Sequence, residues 1–333
     1  MTIRRHDDKG HPMTQSEASE RTDAFVPHAF EERTVDLGEI RMNYVAEGDP
    51  DAPPLLLVPA QSESWWGYEK ALPLLTDRFR VYAVDLRGQG RSTWTPGRYT
   101  LDNLGNDLVR FLDLVVRRPA YVAGNSSGGL ISAWLAARAK PGQVRAAVLE
   151  DPPVFSAEVA PPVGPAIHQS IGPLFAARSK WLGDQWSIGD WEGLTRALRN
   201  ELPDALGRFV AALGGDDGGL AAKEVPQHLR EYDPEWGRSF VSGLANAACD
   251  HADLLSQVRV PVLFTHHFRT TDPETGHLIG ACTDVQARHA CRLMEAAGQP
   301  VTYADLPDAA HGLHDADPEL YVRTVVEWID SLT

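Results

Sequence analysis

A doubly wound α/β fold, built on a mostly parallel sheet of eight strands, is what the sequence predicts, and three observations predict it. Short continuous apolar runs recur along the chain, helical patterns separate them, and one long stretch between about Pro153 and Ala248 interrupts the alternation. A run of four or five apolar residues reads as a strand buried on both faces, the environment of a parallel sheet. Strands that alternate with helices imply crossover connections and helices on both faces of that sheet.

The elements follow in chain order. Residues 1–24 are charged, carry Gly, Ser and His without a periodic apolar face, and are expected to be a disordered tail. Glu32–Leu37 and Ile40–Val45 alternate as a hairpin would. Leu55–Val58, Val81–Val84, Ala120–Ala123, Ala146–Leu149 and Val260–Phe264 are the short apolar strands, and Val301–Asp305 is the last. Helical spacing marks Leu101–Val116, Leu130–Ala139, Asp284–Ala297 and Pro318–Leu332. The interrupting stretch is rich in Pro, Gly and Trp and includes the turn-forming run Gly214–Gly219. It is expected to be a helical cap, 154–248, inserted after the sixth strand of a core formed by 25–153 and 249–333.

Composition narrows the partners. With a formal net charge of -15, the chain repels phosphate backbones and anionic lipid, so neither nucleic acid nor a membrane surface is expected. No apolar run approaches the ~18–20 residues of a membrane span, and residues 1–20 lack the apolar core of a secretory signal. Three cysteines, Cys249, Cys282 and Cys291, form neither a disulfide framework nor a zinc motif, which fits a reducing cytoplasm. His266 and His267 are adjacent and point to opposite faces of a strand, so a metal site there is not expected.

Chemistry concentrates in Gly124-Asn-Ser-Ser-Gly-Gly129, which follows an apolar strand and precedes an Ala/Leu-rich helix. In that context G-x-S-x-G is a sharp strand-to-helix turn that lifts the Ser126 hydroxyl above the sheet. The Ser127 N–H then lies at a helix start, placed to stabilise an oxyanion. A serine needs a base, and His311 is positioned for it, in the loop between the last strand and the terminal helix. His314 is the competitor, and His168, His228, His251, His277 and His289 read as structural. A second oxyanion donor is expected in Pro59-Ala-Gln-Ser-Glu-Ser-Trp-Trp66, with the N–H of Gln61 as the candidate.

With these residues assembled, the chain resembles the α/β-hydrolase family from about Phe30 onward. The resemblance rests on the elbow, on Asp85-Leu-Arg-Gly-Gln-Gly-Arg-Ser92 after the fourth strand, and on His311 seven residues before Pro318. It implies a Ser-His-acid relay, an acyl-enzyme and no cofactor. Two departures stand out. Pro59-Ala60 replaces the family's usual His-Gly, and Thr270 stands where most members carry the acid after the seventh strand. Some branches, including haloalkane dehalogenases and fungal zearalenone lactonases, place the acid after the sixth strand. There Asp151 fits if the preceding helix carries one extra residue, Glu150 fits without a gap, and Asp272, two residues past Thr270, is the third alternative. Dehalogenases and epoxide hydrolases of this fold use Asp as nucleophile, which Ser126 argues against.

Trp181, Trp186, Trp191 and Trp236 in the insertion, with Trp65 and Trp66 on the oxyanion loop, suggest a pocket for a bulky apolar or aromatic substrate, although Trp at helical spacing also packs a cap onto its core. The combination resembles zearalenone-type lactonases, implying the opening of a macrocyclic ester and a role in mycotoxin detoxification. A carbon–carbon bond hydrolase of ring-cleavage products and a non-catalytic small-molecule receptor are the alternatives. The expected partner is a small apolar ester or lactone, with a homo-oligomer left open.

Overall fold

The apolar runs become the centre of the sheet. A computed structural model describes residues 27–158, 167–183, 189–201, 225–276 and 278–332. The expected tail, the Gly214–Gly219 run, Trp186 and His277 lie outside the described residues. The strands are β1 Glu32–Asp36, β2 Arg41–Glu47, β3 Pro54–Val58, β4 Arg80–Val84, β5 Ala120–Asn125, β6 Val144–Glu150, β7 Val262–His267, β8 Thr270–Thr271, β9 Leu278–Ile279 and β10 Val301–Leu306. Eight of them form one sheet in the order β1-β2-β4-β3-β5-β6-β7-β10, and β8 and β9 form a separate pair.

Burial follows position in the sheet. Every residue of β3, β5 and β7 is buried, whereas the edge strands β1 and β10 are largely exposed or half-buried. β2 is antiparallel to both neighbours, and the remaining pairings are parallel. Antiparallel pairing at one edge and parallel pairing in the middle agrees with the hairpin read at the start and the crossovers read after it.

The helices flank this sheet. They are α1 Leu72–Leu75, α2 Leu101–Phe111, α3 Ser127–Arg138, α4 Ile167–Trp181, α5 Trp191–Glu201, α6 Gln227–Arg230, α7 Glu235–Val241, α8 His251–Ser256, α9 Asp284–Ala296, α10 Leu313–Ala316 and α11 Pro318–Asp330. The helical pattern read through Val116 ends differently. α2 stops at Phe111, Leu112–Val116 widens into a π turn, and the segment closes on Arg117 in the left-handed region. Thr100 caps α2, and Thr283 with Gln286 forms a reciprocal capping box on α9, each satisfying amides that have no partner inside the helix.

Two apolar clusters occupy the two faces. Val122, Leu130, Ile131, Leu149 and Phe264 belong to one, and Leu57, Phe79, Ala123, Val148 and Val325 to the other. Neighbouring residues of one strand thus serve opposite clusters, as the two-residue period of a strand requires.

Between β6 and β7 the chain leaves the sheet and forms α4 to α8. Its anchorage is polar and specific. The Trp236 indole N–H donates to the Arg87 carbonyl at 2.8 Å, and the Asp233 N–H donates to the Gly88 carbonyl at 2.8 Å. Both acceptors lie in the turn after β4. That turn is itself built around Asp85, which accepts N–H bonds from Asn43, Trp65 and Arg91. Burial pushes the Asp85 carboxyl up to about 7 against the pull of these donors. Gly90 sits at φ +52, and a Cβ there would meet Asp85 at 2.1 Å. The Asp85–Ser92 motif is therefore a turn-former and a seat for the inserted segment.

Among the described residues, no helix is long and apolar enough to cross a membrane.

Candidate active site

Ser126 stands between β5 and α3 at φ 53 and ψ -119, a conformation that L-residues rarely adopt. Such backbone costs about 1–3 kcal/mol and persists only where the surroundings over-determine it. Here they do. A Cβ on Gly124 would come within 2.2 Å of the Gly128 carbonyl oxygen, and one on Gly128 within 2.2 Å of the Val58 carbonyl oxygen. The glycines flanking the serine are thus required by close backbone approach. The second contact also presses the start of α3 against the start of the Pro59–Trp66 loop. That brings the Ser127 N–H, at a helix start, toward the loop that carries Gln61. The Gln61 side chain faces the inserted segment, its amide donating to the Tyr232 hydroxyl at 2.8 Å.

Hydrogen bonds set the histidine loop beside the elbow. The Ser126 N–H donates to the Glu150 carbonyl at 2.8 Å, joining the ends of β5 and β6. The side-chain amide of Asn125 donates to the His311 carbonyl at 2.8 Å. Asp151, the first residue past β6, then turns at φ 42 and its Oδ2 lies 2.7 Å from His311 Nδ1. The other oxygen, Oδ1, accepts the His267 N–H at 3.3 Å. Asp151 is completely buried, and the His311 side chain is 19% exposed. Because the acid occupies Nδ1, Nε2 is the nitrogen left for proton transfer.

Electrostatics favour a base. Burial alone would depress the His311 pKa. The hydrogen bond and charge of Asp151, together with the charges of Glu63 and Glu150, outweigh it and raise the pKa above the ordinary histidine value. A strained serine, a carboxylate-bound imidazole and helix-start N–H groups together can perform nucleophilic attack with proton relay and oxyanion stabilisation.

Of the three candidate acids, the structure brings Asp151 to His311. Glu150 does not reach His311. It points the other way and holds His314, whose Nδ1 lies 2.9 and 3.0 Å from its two oxygens and whose N–H donates to it at 3.1 Å. Successive side chains at the end of a strand face opposite sides, which sends neighbouring acids to different histidines. Asp272 is also excluded. It is buried in the turn between β8 and β9, accepting the N–H groups of Glu274 and Thr275 at 2.9 and 3.1 Å. That small strand pair was not visible in the sequence pattern, because each strand is only two residues long.

The tryptophans divide. Trp65 is corrected from a pocket residue to a core residue: it is fully buried in the apolar cluster with Leu57 and Phe79, its indole N–H donating to Glu32 at 2.7 Å. Trp66 stacks on His28 and donates to Glu231 at 3.1 Å. Trp181 and Trp191 are partly buried against the other cluster, and Trp236 is fully buried. His251 behaves as a structural group. The His251 ring accepts the Phe155 N–H at 2.9 Å, and burial pulls its pKa down to about 4.

Two further residues support the site. His267 braces both partners of the dyad: its N–H meets Asp151, and its ring Nδ1 contacts the Ala310 carbonyl one residue before His311. Glu63, on the oxyanion loop, acts electrostatically on both His311 and His314, and burial raises its own pKa. Adjacency of His266 and His267 on β7 was legible, but which one braces the site depends on strand register.

Comparison with known proteins agrees with this fold. The family model for the alpha/beta hydrolase fold matches residues 53–180, the segment holding the oxyanion loop, the elbow and Asp151. Over 103 residues the chain is 30% identical to 3-oxoadipate enol-lactonase 2 of Acinetobacter baylyi, covering 31% of this chain and 39% of that protein. Over 107 residues it is 35% identical to epoxide hydrolase 4 of Homo sapiens, covering 32% of this chain and 29% of that one. The matches thus span well under half of these curated relatives. Among solved structures, an enol-lactonase from Burkholderia xenovorans superposes with a TM-score of 0.63 at 20% identity, covering 90% of this chain and 100% of that one. An esterase from Rhodococcus sp. gives 0.63 at 25%, covering 92% and 100%. The chain has the α/β-hydrolase fold, and the segment 53–180 matches that family's model. Its similar proteins include lactonases, esterases and epoxide hydrolases.

Proposed function

We propose that this chain is a serine hydrolase that cleaves an ester or lactone of a small molecule through an acyl-enzyme. One observation carries the reading: a serine held at positive φ on the strand-to-helix turn, beside a histidine whose Nδ1 is 2.7 Å from a buried aspartate. In this reading His311 takes the Ser126 proton as the hydroxyl attacks the carbonyl, and Asp151 orients the imidazole and stabilises its charged form. The N–H groups of Ser127 and Gln61 receive the oxyanion. His311 returns the proton to the leaving alkoxide, then activates the water that releases the acyl group.

The inserted segment would serve as a cap over the site, a reading supported by the hydrogen bond from Gln61 to Tyr232. Bulky substrates, including macrocyclic lactones, are the class such a cap would enclose.

The test pairs labelling with turnover. Wild type should react with a fluorophosphonate and hydrolyse members of a panel of aryl esters and lactones. Ser126→Ala should lose labelling and at least about 10³-fold in kcat. Turnover that survives in Ser126→Ala would remove the proposal. Ligand binding without labelling or turnover in wild type would favour a receptor instead.

A further inference from the structure

A partly buried cation lies near the oxyanion loop, and among the described residues it has a hydroxyl where several other partly or fully buried arginines have a carboxylate. Arg87 is clamped by Asp107 and Glu39, Arg138 is bound to Asp102, and Arg269 to Asp284 and Asp305. Arg178, on α4 of the inserted segment, has no carboxylate partner among the described residues. Its contact is a hydrogen bond from Nη1 to the Ser62 hydroxyl at 3.3 Å. This holds in a chain with 46 acidic and 31 basic residues, where a carboxylate is the easiest partner to supply. Ser62 is the residue after Gln61, so the guanidinium sits at the rim of the loop that faces the elbow.

Its surroundings are polar, yet none of them neutralises it. Tyr232, bonded to Gln61, and His228 on α6 both feel the Arg178 charge. Burial, with that charge, pulls His228 down to about 4, so its ring is neutral near pH 7. Burial also pulls the Arg178 pKa down, with only the Tyr232 phenol opposing it. A partly buried charge with no counter-ion among the described residues is costly, and sites retain one where a ligand supplies the opposite charge. A planar guanidinium with hydroxyl groups beside it matches the two oxygens of a carboxylate. With a neutral His228 nearby, the site offers one positive charge, which suits a monoanion better than a doubly charged phosphate.

We propose that Arg178 binds a carboxylate of the substrate, so that the preferred ester or lactone is an anionic one. This assignment rests on the serine-hydrolase reading above and narrows its substrate class. The anion is held at the rim of the oxyanion loop while the scissile carbonyl lies at Ser126.

The experiment compares two esters of equal acyl length, 4-nitrophenyl hydrogen succinate, which carries a carboxylate, and its neutral methyl ester. The ratio of their kcat/KM values should exceed about tenfold in wild type, and fall by about 10- to 100-fold in Arg178→Gln. Arg178→Lys should recover part of the preference. A wild-type ratio near one, or a ratio that Arg178→Gln leaves in place, would overturn the proposal. Should Arg178→Gln fail to fold, competition in wild type decides. Monomethyl succinate should then inhibit hydrolysis of the neutral ester and dimethyl succinate should not; equal inhibition by both overturns the assignment. Ser126→Ala on both esters keeps the two readings apart. Turnover that survives there sinks the hydrolase reading, whereas serine-dependent turnover without carboxylate preference sinks only the role of Arg178.

Discussion

Two histidine–carboxylate pairs lie side by side in this molecule, drawn from consecutive acids and from histidines three residues apart. Asp151 pairs with His311, whose carbonyl is tied to Asn125 at the elbow, and Glu150 pairs with His314. Their chemistry is the same and their surroundings are not. His311 keeps 19% of its side chain exposed, whereas His314 is 1% exposed, stacked on Tyr68 at 4.1 Å with Tyr321 at its edge. In both pairs burial would lower the histidine pKa, and the carboxylate reverses the shift. An imidazole becomes a usable base only if its second nitrogen meets substrate, and the outer pair alone has that access. The inner pair instead ties the loop bearing His311 to the end of β6.

The largest expected effect separates the pairs by rate. Asp151→Asn should lower kcat by about 10³- to 10⁴-fold, because the acid no longer selects the tautomer or supports the imidazolium. Steady-state kinetics on an ester that Ser126→Ala does not turn over would check it, and a loss of less than tenfold would break the assignment of Asp151.

The next effect should appear in stability. Glu150→Ala leaves the buried ring and N–H of His314 without their acceptor, at a cost of about 3–5 kcal/mol. Thermal or denaturant unfolding should show that loss. At a temperature where the variant is still folded, kcat should fall far less than in Asp151→Asn. Equal kinetic losses in the two variants would erase the distinction between the pairs.

A third effect depends on pH. Both histidines have raised pKa values in the folded protein. The stability they contribute is fully present below the ordinary histidine value of about 6.5 and is lost as pH rises through the raised values. The wild-type Tm should therefore decline across that window, and His314→Gln should make the decline shallower. Activity should run in the opposite direction, since Ser126 needs an unprotonated His311. The acid limb of kcat/KM should lie above pH 6.5, and should move down in Asp151→Asn, where burial is no longer countered. A limb that stays in place in that variant would detach His311 from the observed titration.

The smallest effect concerns Tyr321. Its hydroxyl is buried beside His314 without a hydrogen-bond partner. Tyr321→Phe removes an unsatisfied polar group, so stability should hold or rise by up to about 1 kcal/mol with kcat unchanged. A clear loss of stability would show that the inner pair draws on that hydroxyl.

Much of the site was legible because its signals are local. The elbow needs glycines on both sides of Ser126 within five residues, and a chain that satisfies this constraint displays it in the sequence. His311 could be placed because its loop lies between a recognisable last strand and terminal helix. Glu150 and Asp151 could not be separated in that way: one ends the strand and the other follows it directly, and a one-residue shift of register exchanges their positions. Trp65 misled for a related reason, since an aromatic residue on a functional loop looks the same whether it turns toward a pocket or into the core.

What the sequence determined by itself was the order of strands and helices, the elbow, and the serine and histidine proposed for the proton relay, because periodicity and turn geometry act over a few neighbouring residues. Which acid meets His311, which histidine is sealed away, and which arginine is set beside the Pro59–Trp66 loop were decided by the tertiary structure alone. Those outcomes depend on contacts across long sequence separations, such as Asp151 with His311 and Arg178 with Ser62, and on the burial that the whole assembly imposes on each group.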